Sequence, residues 1–158
     1  MEKKRIAVIR IRGSIGLKKE IVETFKLLRL FKKNYCVVVE NTPFYIGMLE
    51  KIKFYATWGE INENTFHSML EKRGKLAGKQ SLTPQYLKQK TDLDFTSFTK
   101  EFFAFKKNLK DIPGLKLFFR LSPPRKGFER KGVKVPFSQG GVLGYRKDKI
   151  NDLIMRMV

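Results

Sequence analysis

Residues 5–16 read RIAVIRIRGSIG, and this stretch decides how the chain begins to fold. Its apolar side chains fall on both faces of an extended segment over Arg5–Arg12, at Ile6, Val8, Ile9 and Ile11. A strand that is apolar on both faces is covered on both sides and belongs in the middle of a sheet. The glycine-rich residues 13–16 then interrupt the pattern, so a junction between a strand and a helix is predicted there.

Helices and strands alternate after this junction. Apolar residues recur at helical spacing from Leu17 to Leu28, which predicts an amphipathic helix lying on the sheet. A second buried strand is predicted at Tyr35–Glu40 and a third at Ala56–Ile61. Between them, Thr42-Pro43 predicts a helix start, because threonine can cap the free amides and proline needs no donor there.

The rest of the chain predicts four more helices, a half-buried strand and a long loop. One helix opens at Asn62 and stops at Gly74, and a short one opens at Thr83-Pro84. A third carries phenylalanines at helical spacing and ends before Pro113-Gly114; the pattern runs Phe98, Phe102, Phe105, Leu109. Alternation over 115–121 predicts a half-buried strand. A basic, glycine-rich loop over 125–147 and a final helix over 149–157 complete a single predicted domain, residues 1–158.

The positive charge is concentrated near the two ends of the chain. The formal net charge is +19, and residues 1–19 contain seven Lys or Arg against one acidic residue. Residues 115–147 contain nine against one, whereas residues 20–114 mix sixteen basic with eleven acidic residues. Charge that is segregated beside flexible glycine positions predicts a surface for a polyanion, and nucleic acid is the polyanion that best fits.

Two segments are candidates for RNA binding. In the first, basic side chains surround the glycine-rich junction, where backbone amides at a helix start can bind phosphate; its residues are Arg10, Arg12, Gly13, Ser14, Gly16, Lys18 and Lys19. An ordinary tight turn with solvated charges explains this segment equally well.

The second segment is the long basic loop. It combines cations with aromatic and amide side chains that can stack on unpaired bases or bond to them; its residues are Arg125, Lys126, Arg130, Lys131, Lys134, Phe137, Ser138, Gln139, Gly140, Gly141, Tyr145 and Arg146. Loops of this length are functional or disordered, so a disordered tail is the alternative.

No catalytic arrangement is evident. The single histidine, His67, and the single cysteine, Cys36, lack zinc-site spacing. Asp92 and Asp94 precede a helix start, where acidic residues favour the helix dipole. We therefore predict no enzyme, no metal, no cofactor and no small-molecule substrate. One thiol within an apolar run fits a reducing, cytoplasmic location. No apolar run has the length of a transmembrane helix, so no contact with a membrane is predicted.

Four stretches together resemble the universal large-subunit ribosomal protein family numbered thirty, whose eukaryotic counterpart is numbered seven. They are residues 6–16 (IAVIRIRGSIG), residues 39–43 (VENTP) with 47–49 (GML), residues 119–124 (FRLSPP) and residues 137–146 (FSQGGVLGYR). Their order and spacing cover nearly the whole chain. The resemblance is to the longer archaeal form, without the basic N-terminal extension of eukaryotic members.

This resemblance implies a fold, a role and partners. The fold is a small α+β two-layer sandwich of ferredoxin-like type with a largely antiparallel sheet. Residues 1–61 correspond to the compact core of short bacterial members, and residues 62–158 to the extension with its long basic loop. The implied role is structural, in the large ribosomal subunit, in contact with the large-subunit rRNA and neighbouring ribosomal proteins and near the 5S rRNA.

Two other functions remain open from the residues alone. A non-ribosomal RNA-binding or RNA-processing protein would need a metal, a cofactor pocket or an acid–base pair if it were an enzyme. A DNA-compacting protein would need little more than charge, whereas the long loop favours recognition of a shaped surface.

Overall fold

The computed structural model describes residues 2–158 and contains five strands and six helices. The first 61 residues alternate strand and helix: β1 (Arg5–Arg10), α1 (Lys19–Leu27), β2 (Tyr35–Glu40), α2 (Pro43–Lys51) and β3 (Ala56–Glu60). The extension contributes α3 (Glu63–Arg73), α4 (Pro84–Thr91), α5 (Phe95–Phe103), β4 (Phe119–Arg120), β5 (Gly144–Tyr145) and α6 (Ile150–Met157).

The strands form one sheet in the order β4-β2-β1-β3-β5. All pairs are antiparallel except β3 with β5, which is parallel. The prediction that β1 lies centrally is confirmed, because its six residues are all buried between β2 and β3. The α+β class with a largely antiparallel sheet is likewise confirmed.

Each face of the sheet packs against its own apolar cluster. Ile6 and Val8 of β1 point toward α1 and α2, where Phe25 and Leu49 lie in the same cluster. Ala7 belongs to the cluster on the other face, which α3, α5 and α6 of the extension supply. Residues 2–61 thus form a two-layer sandwich, and the extension covers the face that this sandwich leaves bare.

The predicted helix starts are confirmed at the level of single hydrogen bonds. The hydroxyl of Thr42 accepts from the Tyr45 amide at the start of α2, with proline at the first helical position. The side-chain oxygen of Asn62 accepts from the Thr65 amide at the start of α3. These caps satisfy amide donors that have no partner within the helix.

The extension differs from the sequence prediction in two elements. The helix with phenylalanine spacing ends at Phe103 rather than near Leu109, and Phe105 has a left-handed φ of +61°. The predicted strand over 115–121 is reduced to Phe119–Arg120, which pairs only with Tyr35 and Cys36. Beyond that pair the chain diverges from β2 and leaves a cavity of about 240 Å³ lined by Val37–Val39 and Leu117.

Arg5 contacts the point where the helix ends. Its guanidinium lies between the rings of Phe102 and Phe105, 3.9 and 4.3 Å from their centroids. Its Nη2 donates to the Phe102 carbonyl at 2.9 Å and to the Lys107 carbonyl at 3.3 Å. Arg5 therefore adds a donor to a carbonyl in the last turn of α5, which also accepts from the Phe105 amide at 3.1 Å, and it joins the central strand to the extension.

Candidate nucleic-acid interface

The sheet topology brings both predicted RNA-binding segments to one end of the molecule. β1 ends at Arg10, beside the starts of its antiparallel neighbours β2 and β3. β4 is antiparallel to β2 and so ends there, whereas β5 is parallel to β3 and so starts there. The glycine-rich junction therefore leaves the sheet at the same end where the long basic loop both begins and finishes.

We call this region the cationic end and define it as residues 11–19, 30–34, 51–55 and 121–143. It contains twelve Lys or Arg and a single acidic residue, Glu129. Acidic residues occur where β1 begins and where β2 and β3 finish, at Glu2, Glu40 and Glu60. The positive field is thus directed toward one end of the sheet, where it can attract a polyanion.

Arg10 supports the glycine-rich junction from beneath. It is only 3% exposed and lies over the Phe25 ring, 4.1 Å from the centroid. Its Nη1 donates to the Leu30 carbonyl at 2.7 Å and its Nη2 to the Ser14 hydroxyl at 2.8 Å. Burial lowers the pKa of this guanidinium, but an arginine remains charged at neutral pH. Arg10 therefore fixes the position of the junction.

The surface above Arg10 is open and rich in donors. Gly13, Gly16, Lys18 and Lys19 are exposed, and Gly16 has a left-handed φ of +73° that favours glycine. No side chain caps the start of α1. Free amides at a helix start, together with the helix dipole, can bind a phosphate group, although Glu20 places one acidic side chain in the same first turn.

The long basic loop is folded, and Arg146 holds it. This side chain is 2% exposed and lies over the Phe137 ring, 4.7 Å from its centroid. Its Nη1 donates to Glu129 at 2.6 Å, its Nη2 to the Val142 carbonyl at 2.7 Å and its Nε to the Thr57 hydroxyl at 2.9 Å. Arg146 thereby connects the two halves of the loop to each other and to β3.

Gly141 is required for a tight turn inside this loop. Its amide donates to the Pro136 carbonyl at 2.9 Å, and the Val142 amide donates to the Val135 carbonyl at 2.9 Å. A Cβ at Gly141 would lie 2.0 Å from the Val135 carbonyl oxygen. The close approach that this glycine permits is therefore to the protein's own backbone.

We expect Gly141→Ala to open the turn over 135–143 and to destabilise the loop by about 2 kcal/mol, because the new methyl overlaps a backbone oxygen. Hydrogen exchange of the amides in this turn measures the effect on the free protein. Gly47→Ala in α2 is the matched control, since no atom lies within 4 Å of its Cβ position. Unchanged protection over 135–143 in Gly141→Ala would contradict this assignment.

Most of the predicted contact residues are accessible in this arrangement. Arg12 and Phe137 are half-buried, and the others that remain accessible are exposed: Gly13, Ser14, Gly16, Lys18, Lys19, Arg125, Lys126, Arg130, Lys131, Lys134, Ser138, Gln139 and Gly140.

Four predicted contact residues lie where the structure does not favour direct contact with RNA. Arg10, Gly141 and Arg146 are buried, and both arginines use their donors within the protein. Tyr145 is exposed, but its hydroxyl donates to Glu60, and it lines a cavity of about 400 Å³ with Glu2 and Glu50. Burial and this hydrogen bond raise the pKa of Tyr145 to about 12. Carboxylates beside it repel phosphate, so the geometry does not favour RNA contact there.

Sequence reasoning missed part of the cationic end. Lys32 and Lys33 precede β2, and Lys53 and Phe54 precede β3; all four are exposed. Nothing in their local sequence marks them, because lysines in turns are ordinary surface residues. Only the strand order shows that these two turns lie beside the predicted segments.

Two of the residues that were considered for catalysis or metal binding contribute to the fold: one is a core residue and the other caps a helix. Cys36 is fully buried, and burial raises the pKa of its thiol. Asp94 caps α5, and the hydrogen bond from the Ser97 amide lowers its pKa. Among residues 2–158, no three His, Cys, Asp or Glu side chains form a group that could hold a metal. Within the same range, no helix has the length and hydropathy needed to span a bilayer.

The chain matches one protein family model and is similar to several named relatives. Residues 6–55 match the model of the family described as ribosomal protein L30p/L7e. A protein of Methanopyrus kandleri is 45% identical over 149 residues, which cover 94% of this chain and 100% of the relative. Proteins of Methanococcus maripaludis and Nanoarchaeum equitans are each 45% identical over 152 residues, which cover 96% of this chain and 98% and 97% of the relatives. All three relatives are named large ribosomal subunit protein uL30.

Proposed function

Because the chain belongs to the ribosomal protein L30p/L7e family, we propose that its cationic end is the surface that binds the large-subunit rRNA. The protein is a structural constituent of the large ribosomal subunit and is not an enzyme. Its partners are the large-subunit rRNA and other ribosomal proteins. The part of the molecule that contacts the RNA is what we propose here.

One observation carries this proposal: the sheet topology directs two cationic segments, far apart in sequence, to the same end of the molecule. Twelve basic side chains with a single acid can neutralise several neighbouring phosphates at once. The glycine-rich junction adds backbone amides, and the long loop adds Ser138 and Gln139 for sugar and base edges. Arg10 and Arg146 serve this surface as positioning residues.

We propose a single domain over residues 1–158, since β1 contributes to the apolar cluster on each face of the sheet. A position near the 5S rRNA is also proposed, and it rests on the family resemblance alone. Cross-linking within purified subunits should join this protein to 5S rRNA if that position is right.

Association with the subunit is tested by sedimentation of extract in low salt from the cells that make this protein. We expect the protein to sediment with the large subunit and to leave it as the salt concentration rises, because exposed charges are screened. Recovery only in ribosome-free fractions at low salt would contradict the proposal.

A further inference from the structure

An exposed phenylalanine stands on the cationic end, in the turn between α2 and β3. Phe54 is 57% exposed, whereas its neighbours Ile52 and Tyr55 belong to the apolar core or pack against it. Among residues 2–158 its ring takes part in no aromatic stacking. Single exposed apolar residues are ordinary on protein surfaces, so what distinguishes Phe54 is its place among the basic residues of the cationic end.

One cation lies beside this ring, and a second is hydrogen-bonded to the backbone of the same residue. Lys53 Nζ lies 5.4 Å from the centroid of the Phe54 ring and 3.6 Å from the exposed Glu50 carboxylate, a surface ion pair that a phosphate can replace. Arg12 Nη1 donates to the Phe54 carbonyl at 3.3 Å, and the Arg12 guanidinium lies 5.1 Å from the Tyr55 ring centroid. The amides of Ile11 and Arg12 both donate to the Tyr55 carbonyl, at 3.0 and 3.1 Å. The turn is therefore tied to the strand that leads directly into the glycine-rich junction.

We propose that Phe54 is a stacking platform for an unpaired base of the large-subunit rRNA, with Lys53 and Arg12 neutralising the phosphates on either side of that nucleotide. This inference rests on the proposed function, because it needs RNA at the cationic end. Aromatic side chains flanked by cations bind single-stranded nucleotides in this way, since every base has a π-face. Charge favours RNA over an apolar protein segment as the occupant.

The test compares Phe54→Ala, Phe54→Trp and the control Phe44→Ala. Phe44 is 70% exposed in the first turn of α2, and the helix separates it from the turn that carries Phe54. Binding of each purified protein to protein-free large-subunit rRNA from the same cells is measured over a salt series. Chemical modification of the bases in each complex is mapped in parallel.

We expect Phe54→Ala to weaken binding by roughly 5- to 100-fold, with the dependence of log K on log salt unchanged because no charge is lost. One base should become reactive in the Phe54→Ala complex. Phe54→Trp should retain both affinity and protection, and Phe44→Ala should bind as the unaltered protein does. Unchanged thermal unfolding of each variant checks that the fold is intact.

Equal affinity of Phe54→Ala and the unaltered protein for the rRNA would overturn this inference and leave the proposed function standing. Equal affinity with poorer retention in assembled subunits would also overturn it, in favour of a protein neighbour at Phe54. If the unaltered protein itself failed to bind the rRNA, the proposed function would fail first.

Discussion

Removing four charges from the long basic loop should weaken rRNA binding by about 10²- to 10³-fold near 0.1 M salt. The variant is Arg125→Gln, Arg130→Gln, Lys131→Gln and Lys134→Gln, and all four side chains are exposed. Each lost phosphate contact forfeits the release of about one counterion, and the slope of log K against log salt should fall by up to about four. Titration with large-subunit rRNA at several salt concentrations measures both quantities.

A second quadruple variant controls for net charge. Lys88→Gln, Lys90→Gln, Lys106→Gln and Lys110→Gln lower the formal charge equally and also change exposed side chains, but these residues lie outside the cationic end. We expect this variant to keep most of its affinity and nearly its full salt dependence. Equal losses in the two variants would mean that total charge, rather than the cationic end, determines binding.

Arg146→Met should destabilise the protein by about 3–5 kcal/mol and disorder the long loop, although this residue need not touch RNA. The substitution removes all the donors that Arg146 gives to Glu129, Val142 and Thr57. It also leaves the half-buried Glu129 carboxylate with only Arg156, 3.9 Å away, and a poorly paired charge with little access to water is costly. Denaturant unfolding and hydrogen exchange of the loop amides measure the two effects.

The ion pair between Arg146 and Glu129 can be tested by a double-mutant cycle. Arg146→Met with Glu129→Leu should recover part of the lost stability, because replacing both members of the pair avoids leaving a poorly paired carboxylate. Arg120→Met is the control for arginine removal, since Arg120 is exposed and its loss should change stability by less than about 0.5 kcal/mol. A loss at Arg146 no larger than at Arg120 would show that the loop does not depend on it.

The sequence predicts the first 61 residues well because their structure follows from local chemistry. A strand that is apolar on both faces must be central, and β1 is. Thr42 and Asn62 cap the helices they precede, through hydrogen bonds that span only three residues. Periodicity and capping are properties of adjacent residues, so no tertiary information is needed to recognise them.

The extension is less predictable because distant residues decide its elements. α5 ends where Arg5, about a hundred residues earlier in the chain, binds the Phe102 carbonyl. The alternation over 115–121 predicts a strand, but only two residues pair with β2. β5 is equally short, and Arg146, the residue after it, donates to Thr57 of β3 across the chain.

The two main segments of the candidate site could be predicted from the sequence, but their placement together at one end of the sheet could not. Basic residues clustered beside glycines identify both segments from the sequence: the junction around Gly16 and the loop around Lys131. Arg10 and Arg146 read as surface cations because a sequence does not show which arginines are buried under aromatic rings and backbone carbonyls. Lys53 and Phe54 join the site only through the strand order.

Cross-linking of the protein to rRNA by ultraviolet light, within purified large subunits, tests the location of the interface most directly. Mass spectrometry then identifies the peptides that carry nucleotides. We predict RNA-linked peptides from residues 11–19, 51–55 and 121–143. Links confined to residues 84–110 or to the surroundings of Tyr145, with none from those three segments, would contradict the assignment of the RNA-binding surface.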